Sequence, residues 1–229
     1  MSPPEPRRAK TVAIITDGNG RWAQDRGQPV VEGHAAGADT VKARLRDCVE
    51  FGVEQLTVYS FSTENWSRSA TEVRGLMKMF DERLQSETPE LNAEGVRMRF
   101  VGDRADRRIP KSLVERMAWA EAETAKNDRI DLFVAFNYGS RDEIVRAAGK
   151  YKGGGEKEFN KLIGQSGLRD PDLLIRTSGE QRISNFLLWQ CAYSEFVFHE
   201  SLWPDFTRED LRFCLDEYTA RERRFGGRR

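Results

Sequence analysis

Four short apolar runs each break off into a polar cluster, and this repeated join constrains the chain more than any other feature. Val12-Ala13-Ile14-Ile15 ends at Asp17-Gly18-Asn19-Gly20-Arg21, and Leu56-Thr57-Val58-Tyr59-Ser60-Phe61 runs into Ser62-Thr63-Glu64-Asn65-Trp66. Leu132 to Phe136 gives way to Asn137-Tyr138-Gly139-Ser140-Arg141, and Leu173-Leu174-Ile175 to Arg176-Thr177-Ser178-Gly179-Glu180-Gln181-Arg182. Continuous apolar runs of this length suit strands buried on both faces. Helical spacing lies between them, with Val41, Leu45, Cys48 and Val49 in 33–51, and Val73, Leu76, Met77, Phe80 and Leu84 in 72–94. Pro89 is expected to kink or break the second of these helices. Val96, Met98 and Phe100 alternate with arginines as a further strand, 111–126 forms another helix, and a last helix runs from Thr207 to about Arg224.

Strands alternating with helices imply an α/β fold around a mostly parallel sheet with right-handed crossovers. Ligands of such sheets bind outside the carboxyl ends of the strands, so the clusters at Asp17, Ser62, Asn137 and Arg176 can converge on one site. The first cluster has the chemistry of an anion-binding loop. Its glycines allow close backbone approach, a following helix presents unpaired N–H groups, and Asp17 adds a ligand for a hard cation such as Mg²⁺. Ordinary turn preference of Asp-Gly and Asn-Gly explains the same residues equally well in isolation.

Other features narrow the function. No 18-residue apolar run spans a membrane, which leaves at most peripheral membrane contact. Residues 1–10 carry charge and proline without an apolar core and read as a disordered leader ahead of a single domain over 11–229. Cys48, Cys191 and Cys214 lack metal-ligand spacing and suit the reduced thiols of a cytoplasmic protein. A formal net charge of zero argues against nucleic acid as a partner. Arginine makes up 28 of the 37 cationic residues, a bias that fits a phosphorylated ligand or simply GC-rich coding.

Taken in order, Asp17-Gly18-Asn19-Gly20-Arg21-Trp22, Gly33-His34, Phe61-Ser62-Thr63-Glu64-Asn65-Trp66, Arg176-Thr177-Ser178-Gly179-Glu180 with Arg182, Ser184-Asn185-Phe186, and Trp203-Pro204-Asp205 resemble the cis-prenyltransferase family over nearly the whole chain. Undecaprenyl and Z-farnesyl diphosphate synthases are its best-known members. The resemblance implies a six-stranded parallel sheet flanked by helices, a butterfly-like homodimer, and an apolar tunnel rising from the active site. It also implies Mg²⁺-dependent coupling of an allylic prenyl diphosphate to a second prenyl diphosphate, with release of pyrophosphate.

Matching positions take family roles. Asp17 would bind Mg²⁺ and promote ionisation of the allylic C–O bond. Gly18, Asn19, Gly20 and Arg21 would hold the allylic diphosphate, with Trp22 and His34 beside them. Arg176, Arg182 and Ser184 would hold the second diphosphate, and Glu195 would position Mg²⁺ across the dimer. Ser62, Asn65, Trp66 and Arg68 would place the reacting double bond and assist proton removal, while Phe61 and Trp66 would tolerate the carbocation. Arg224 and Gly226 match an element that reaches into the partner's site.

The sequence departs from the family at Val30, where an arginine ordinarily contacts the allylic diphosphate, and Arg26 is the candidate replacement. The segment between Arg141 and Asp170 is shorter than in long-chain members, and Arg83 stands among Met79, Phe80 and Leu84 on the tunnel-facing helix. These departures point to a short C10–C15 product, by regular cis or irregular head-to-middle (lavandulyl-type) coupling. The alternatives are a long-chain undecaprenyl diphosphate synthase and a non-catalytic accessory subunit.

Overall fold

The computed structural model describes residues 8–221. The strands are β1 (Thr11–Ile15), β2 (Gln55–Ser62), β3 (Val96–Val101), β4 (Ile130–Tyr138), β5 (Leu173–Arg176) and β6 (Glu195–Phe198). They form one sheet in the order β3-β4-β2-β1-β5-β6, with every neighbouring pair parallel. The helices are α1 (Asn19–Asp25), α2 (Val30–Glu50), α3 (Ala70–Ala93), α4 (Lys111–Glu123), α5 (Ser140–Lys150), α6 (Glu156–Asn160) and α7 (Arg208–Ala220).

Both faces of the sheet are covered, which is why β1 is buried at all five positions and carries no polar alternation. Val12 and Ile14 face the larger core with α2, α3, α4 and α7, where Leu45, Leu76, Met77, Met117 and Leu211 pack. Ala13 and Ile15 face a smaller core built around Tyr59, Tyr138, Phe186 and Leu187. The chain leaves β1 toward β2 on one side and reaches β5 on the other, so the sheet's switch point lies over the carboxyl ends of β1 and β5.

Several boundaries move. Ala9 is buried in the larger core, and the Lys10 and Thr11 N–H groups both donate to Asp172, so ordered structure begins before residue 11. Helix α3 continues through Pro89 rather than ending there. Leu84, Thr88 and Leu91 are buried on either side of the proline, and the Thr88 hydroxyl donates to the Leu84 carbonyl, so packing holds the turn that the ring disfavours. After β5 the chain turns tightly, with φ of 45°, 62° and 46° at Ser184, Asn185 and Leu187. No described helix is long and apolar enough to cross a membrane. All three cysteines are buried and free, and burial pushes each thiol up to about 12.

Candidate active site

The parallel register places Arg176 beside Ile15, so the residues following β1 and those ending β5 meet. The Arg176 side chain is only 5% exposed; one terminal nitrogen donates to Asp17 at 2.7 Å, the other to Ser184 Oγ at 2.8 Å and to the Arg182 carbonyl. Its Nε is buried without a partner, as is Asn19 Oδ1. Orphaned buried polar atoms are costly, and two of them in one cleft suit a site that a polar ligand completes. Burial alone would raise the Asp17 carboxyl, but Arg176, through its hydrogen bond and its charge, holds it below the ordinary carboxylate value.

Gly18 turns the chain into α1 with φ 109°, and a Cβ there would lie 2.9 Å from Leu202 Cδ2, so glycine is required on both counts. The first turn of α1 then offers its unpaired N–H groups to the cleft. A Cβ on Gly33 would stand 2.0 Å from the Asn19 carbonyl, so the glycine before His34 is what lets α2 pack against α1. The Trp203 N–H donates to the Asp17 carbonyl and its indole to the Gly37 carbonyl, and these bonds brace the loop from behind.

These residues line a cleft of about 800 Å³ with Thr16, Asp17, Gly18, Asn19, Gly20, Arg21, His34, Ser60, Ser62, Asn65, Arg68, Arg176 and Ser184 in its walls. Ser62 and Asn65 fix each other: the Ser62 N–H donates to Asn65 Oδ1 while the hydroxyl accepts from the Asn65 N–H. Arg68 contacts His34 Nε2 at 3.3 Å and donates to Glu72 at 2.9 Å. Burial, and next the Arg68 charge, lower the His34 pKa to about 4, so the imidazole is neutral at pH 7 and not an added cation.

An apolar cavity of about 120 Å³ opens from the same cleft, walled by Val41, Leu45, Met79, Phe80, Leu84, Leu91, Met98, Phe100, Leu132 and Val134. Thr16, Asn19, His34, Ser60 and Leu76 belong to both spaces. A cradle for an anion therefore leads directly into a cavity for hydrocarbon. That arrangement suits an amphiphile with a charged head and an apolar tail.

Not every expected residue is there. Arg26 faces away, donating to both Asp205 oxygens and stacking 4.2 Å over Trp22, whose indole also donates to Asp205. It therefore does not replace the arginine missing at Val30, which does line the cleft. Phe61 is 1% exposed, packed edge-on to Trp66 and against Phe136 in the core, because it alternates with the cleft-facing Ser60 and Ser62. Trp66 is fixed by a 2.6 Å bond to Asn137 and covered by Arg108, outside the cleft lining. Arg21 lines the cleft, where it donates to the Ser178 carbonyl, whereas Arg182 is paired with Glu180 outside it.

Glu195 opens β6 in register with Leu173, which pairs with Val12. It is thus about 16 Å short of Asp17 along the strands, too far for the two to hold one ion within a single chain. Arg224 and Gly226 lie outside the described residues. Glu64 and Asn185, which stand in the quoted motifs without a role, also line the cleft, as does Glu72, which no motif marked. Asn185 is held by donation to Glu64 and by accepting the Arg141 N–H.

Residues 15–226 match a family described as putative undecaprenyl diphosphate synthase. The chain is 47% identical to an isoprenyl transferase of Clostridium perfringens, over 97% of this chain and 92% of the relative. It is 44% identical to the (2E,6E)-farnesyl-diphosphate-specific ditrans,polycis-undecaprenyl-diphosphate synthase of Micrococcus luteus, over 95% and 91%. Among solved structures, lavandulyl diphosphate synthase from Lavandula x intermedia in complex with dimethylallyl diphosphate superposes with a TM-score of 0.91 at 35% identity, over 96% of this chain and 98% of that one. A probable undecaprenyl diphosphate synthase from Campylobacter jejuni gives 0.81 at 30%, over 96% and 99%.

Proposed function

Because the chain belongs to the cis-prenyltransferase family, we propose that it condenses an allylic C5 or C10 diphosphate with a second C5 prenyl diphosphate to give a C10–C15 product. The observation that carries this reading is the continuity between the Asp17/Arg176 cradle and the apolar cavity. The cradle takes the diphosphate and the cavity takes the prenyl tail. The cavity's walls are mostly aliphatic and aromatic, which suits a prenyl tail.

Breaking the allylic C–O bond builds negative charge on the departing diphosphate and positive charge on carbon. Donors fixed before the reaction stabilise that charge most effectively. Arg176, the first N–H groups of α1 and Arg21 supply them here. Among the described residues no group of three or more His, Cys, Asp or Glu side chains forms a metal cage. Mg²⁺ fits all the same, because it commonly binds through one or two carboxylates together with substrate phosphates and water. Asp17 would hold it, with Glu195 contributing from the partner in a homodimer. When bound, Mg²⁺ supplies neutralisation of the leaving diphosphate's charge. Ser62 and Asn65, locked together at the end of β2, would place the double bond of the second substrate.

Two coupling modes fit the same cleft. Regular cis coupling uses the second substrate's terminal double bond, whereas head-to-middle coupling joins two allylic units. The lavandulyl diphosphate synthase likeness and the loss of an arginine at Val30 favour the second mode. A long-chain product is the competing reading, favoured by the name of the Micrococcus luteus relative. Incubation with Mg²⁺, dimethylallyl or geranyl diphosphate, and either isopentenyl or a second dimethylallyl diphosphate tests all three. Mass spectrometry of the dephosphorylated alcohols should show C10 to C15 chains, and products of C50 or longer would overturn the short-chain assignment.

A further inference from the structure

Trp66 follows Asn65 in the short turn Thr63–Ser67, and its side chain leaves the cleft to enter a closed ring of contacts. Its indole N–H donates to Asn137 Oδ1 at 2.6 Å. The Asn137 amide nitrogen donates in turn to Asp106 Oδ2 at 3.2 Å and to the Asp103 carbonyl at 2.8 Å. Asp106 takes Arg108 in a two-pronged bond, Nη2 to Oδ2 at 2.6 Å and Nε to Oδ1 at 3.0 Å. The Arg108 guanidinium lies 4.5 Å over the Trp66 ring and completes the circuit. Asp106, Arg108 and Asn137 stand outside the cleft lining.

The backbone is shaped to close this ring. Phe61 of β2 pairs with Phe136 of β4 and Ser62 with Tyr138, which leaves Asn137 as an extra residue in its strand. Such a bulge re-aims a side chain. Asn137 also holds φ of 48° while 2% exposed, a left-handed conformation that persists where its surroundings fix it. Arg108, chiefly through its hydrogen bonds, holds the Asp106 carboxyl down at about 2, so both partners are charged at neutral pH.

The turn needs such a hold, because short helices of this tight kind have poor internal hydrogen-bond geometry. Its first half is tied by Glu64, which accepts from Asn185 at 3.0 Å. Its second half is tied by Trp66, through the ring and through an edge-on contact with Phe61 at 5.0 Å. Asn65 lies between these two holds, with its Oδ1 on the Ser62 N–H. A displacement of Trp66 therefore moves the residue next to it in the chain.

We propose that Arg108, acting with Asp106 and Asn137 through Trp66, is a positioning residue that sets Asn65 and Ser62 for the condensation. The inference rests on the prenyl-transfer reading and adds to it three residues that touch no substrate.

The test is the kinetics of Arg108→Ala. Arg108 is 56% exposed, and an exposed ion pair contributes little to folding, so the variant uncovers Trp66 without unfolding the chain. Assays use Mg²⁺, dimethylallyl diphosphate, and whichever of isopentenyl or dimethylallyl diphosphate the wild type accepts second. kcat should fall about tenfold, as small misplacements of reacting groups produce. The KM of the allylic diphosphate, pyrophosphate affinity and melting temperature should stay near wild type. Arg108→Lys keeps a cation over the ring without the two-pronged bond and should fall between the two. Asp106→Asn keeps an acceptor for Asn137 but frees Arg108; it should also lower kcat, and it keeps the test open if Arg108→Ala fails to fold. Arg116→Ala is the control, since Arg116 likewise lies over a tryptophan, 5.5 Å from the Trp119 ring, and pairs with Asp81 at 3.1 Å; its kcat should be unchanged. Folded Arg108 and Asp106 variants with wild-type kcat would overturn the role, and so would a loss shared by Arg116→Ala. A wild type without prenyl transfer would instead overturn the functional reading beneath it.

Discussion

Replacing Arg176 with glutamine tests the cradle where the structure makes its sharpest claim. The wild-type guanidinium is almost fully buried and makes three hydrogen bonds, one of them to a carboxylate. Losing a charged donor to the bound diphosphate costs about 1.5–3 kcal/mol, or about 10- to 150-fold in affinity. Calorimetric titration with inorganic pyrophosphate and Mg²⁺ reads it directly. The variant should also change the acid limb of the rate profile. In the wild type Arg176, with help from Ser178 and the Gly18 N–H, offsets the burial that would raise Asp17. Without the cation the carboxyl should titrate higher than in the wild type, and the acid limb should move to higher pH. Pyrophosphate affinity within threefold of wild type, with an unmoved acid limb, would refute the cradle.

Val30→Arg should lower the KM for the allylic diphosphate. A charge-assisted contact contributes about 1.5–3 kcal/mol, or about 10- to 150-fold; an unchanged KM would count against an allylic site altered at Val30. His34 carries a folded-state pKa of about 4 against an unperturbed 6.5. Above 6.5 both folded and unfolded states are neutral there, and between 6.5 and 4 only the unfolded state takes up the proton, so stability should fall as pH drops through that window. Thermal melts of His34→Gln should show a flatter decline than wild type over that range, and parallel curves would show that the histidine is not held neutral.

The sheet was legible because its strands are short, apolar and punctuated. A run such as Leu132 to Phe136 has few alternatives once helical patterns flank it, and the convergence of strand ends then follows from parallel topology alone. Side-chain direction was not legible to the same degree. Phe61 sits between two cleft residues in sequence and points into the core, and Arg26 sits one turn from the cradle loop yet is captured by Asp205 across 179 residues. Pro89 shows the complementary limit: a local rule argued for a break, and buried neighbours on both sides of the proline held the helix. The pairing of Asp17 with Arg176 required both kinds of information, motif and register. The ion pairs between α2 and α3, Asp39 with Arg83 and Arg46 with Glu90 and Glu94, needed the structure, because no sequence motif joins these residues.

The most direct test of the account is the turnover of Asp17→Ala beside a thermal melt of the same preparation. Arg176 keeps Ser184 and the Arg182 carbonyl in that variant, so the protein should remain folded at the assay temperature. Mg²⁺-dependent release of pyrophosphate from the allylic substrate should fall at least a thousandfold, about 4 kcal/mol of lost transition-state stabilisation. A folded variant with near-normal turnover would contradict the assignment of the diphosphate site and, with it, the reading of the whole cleft.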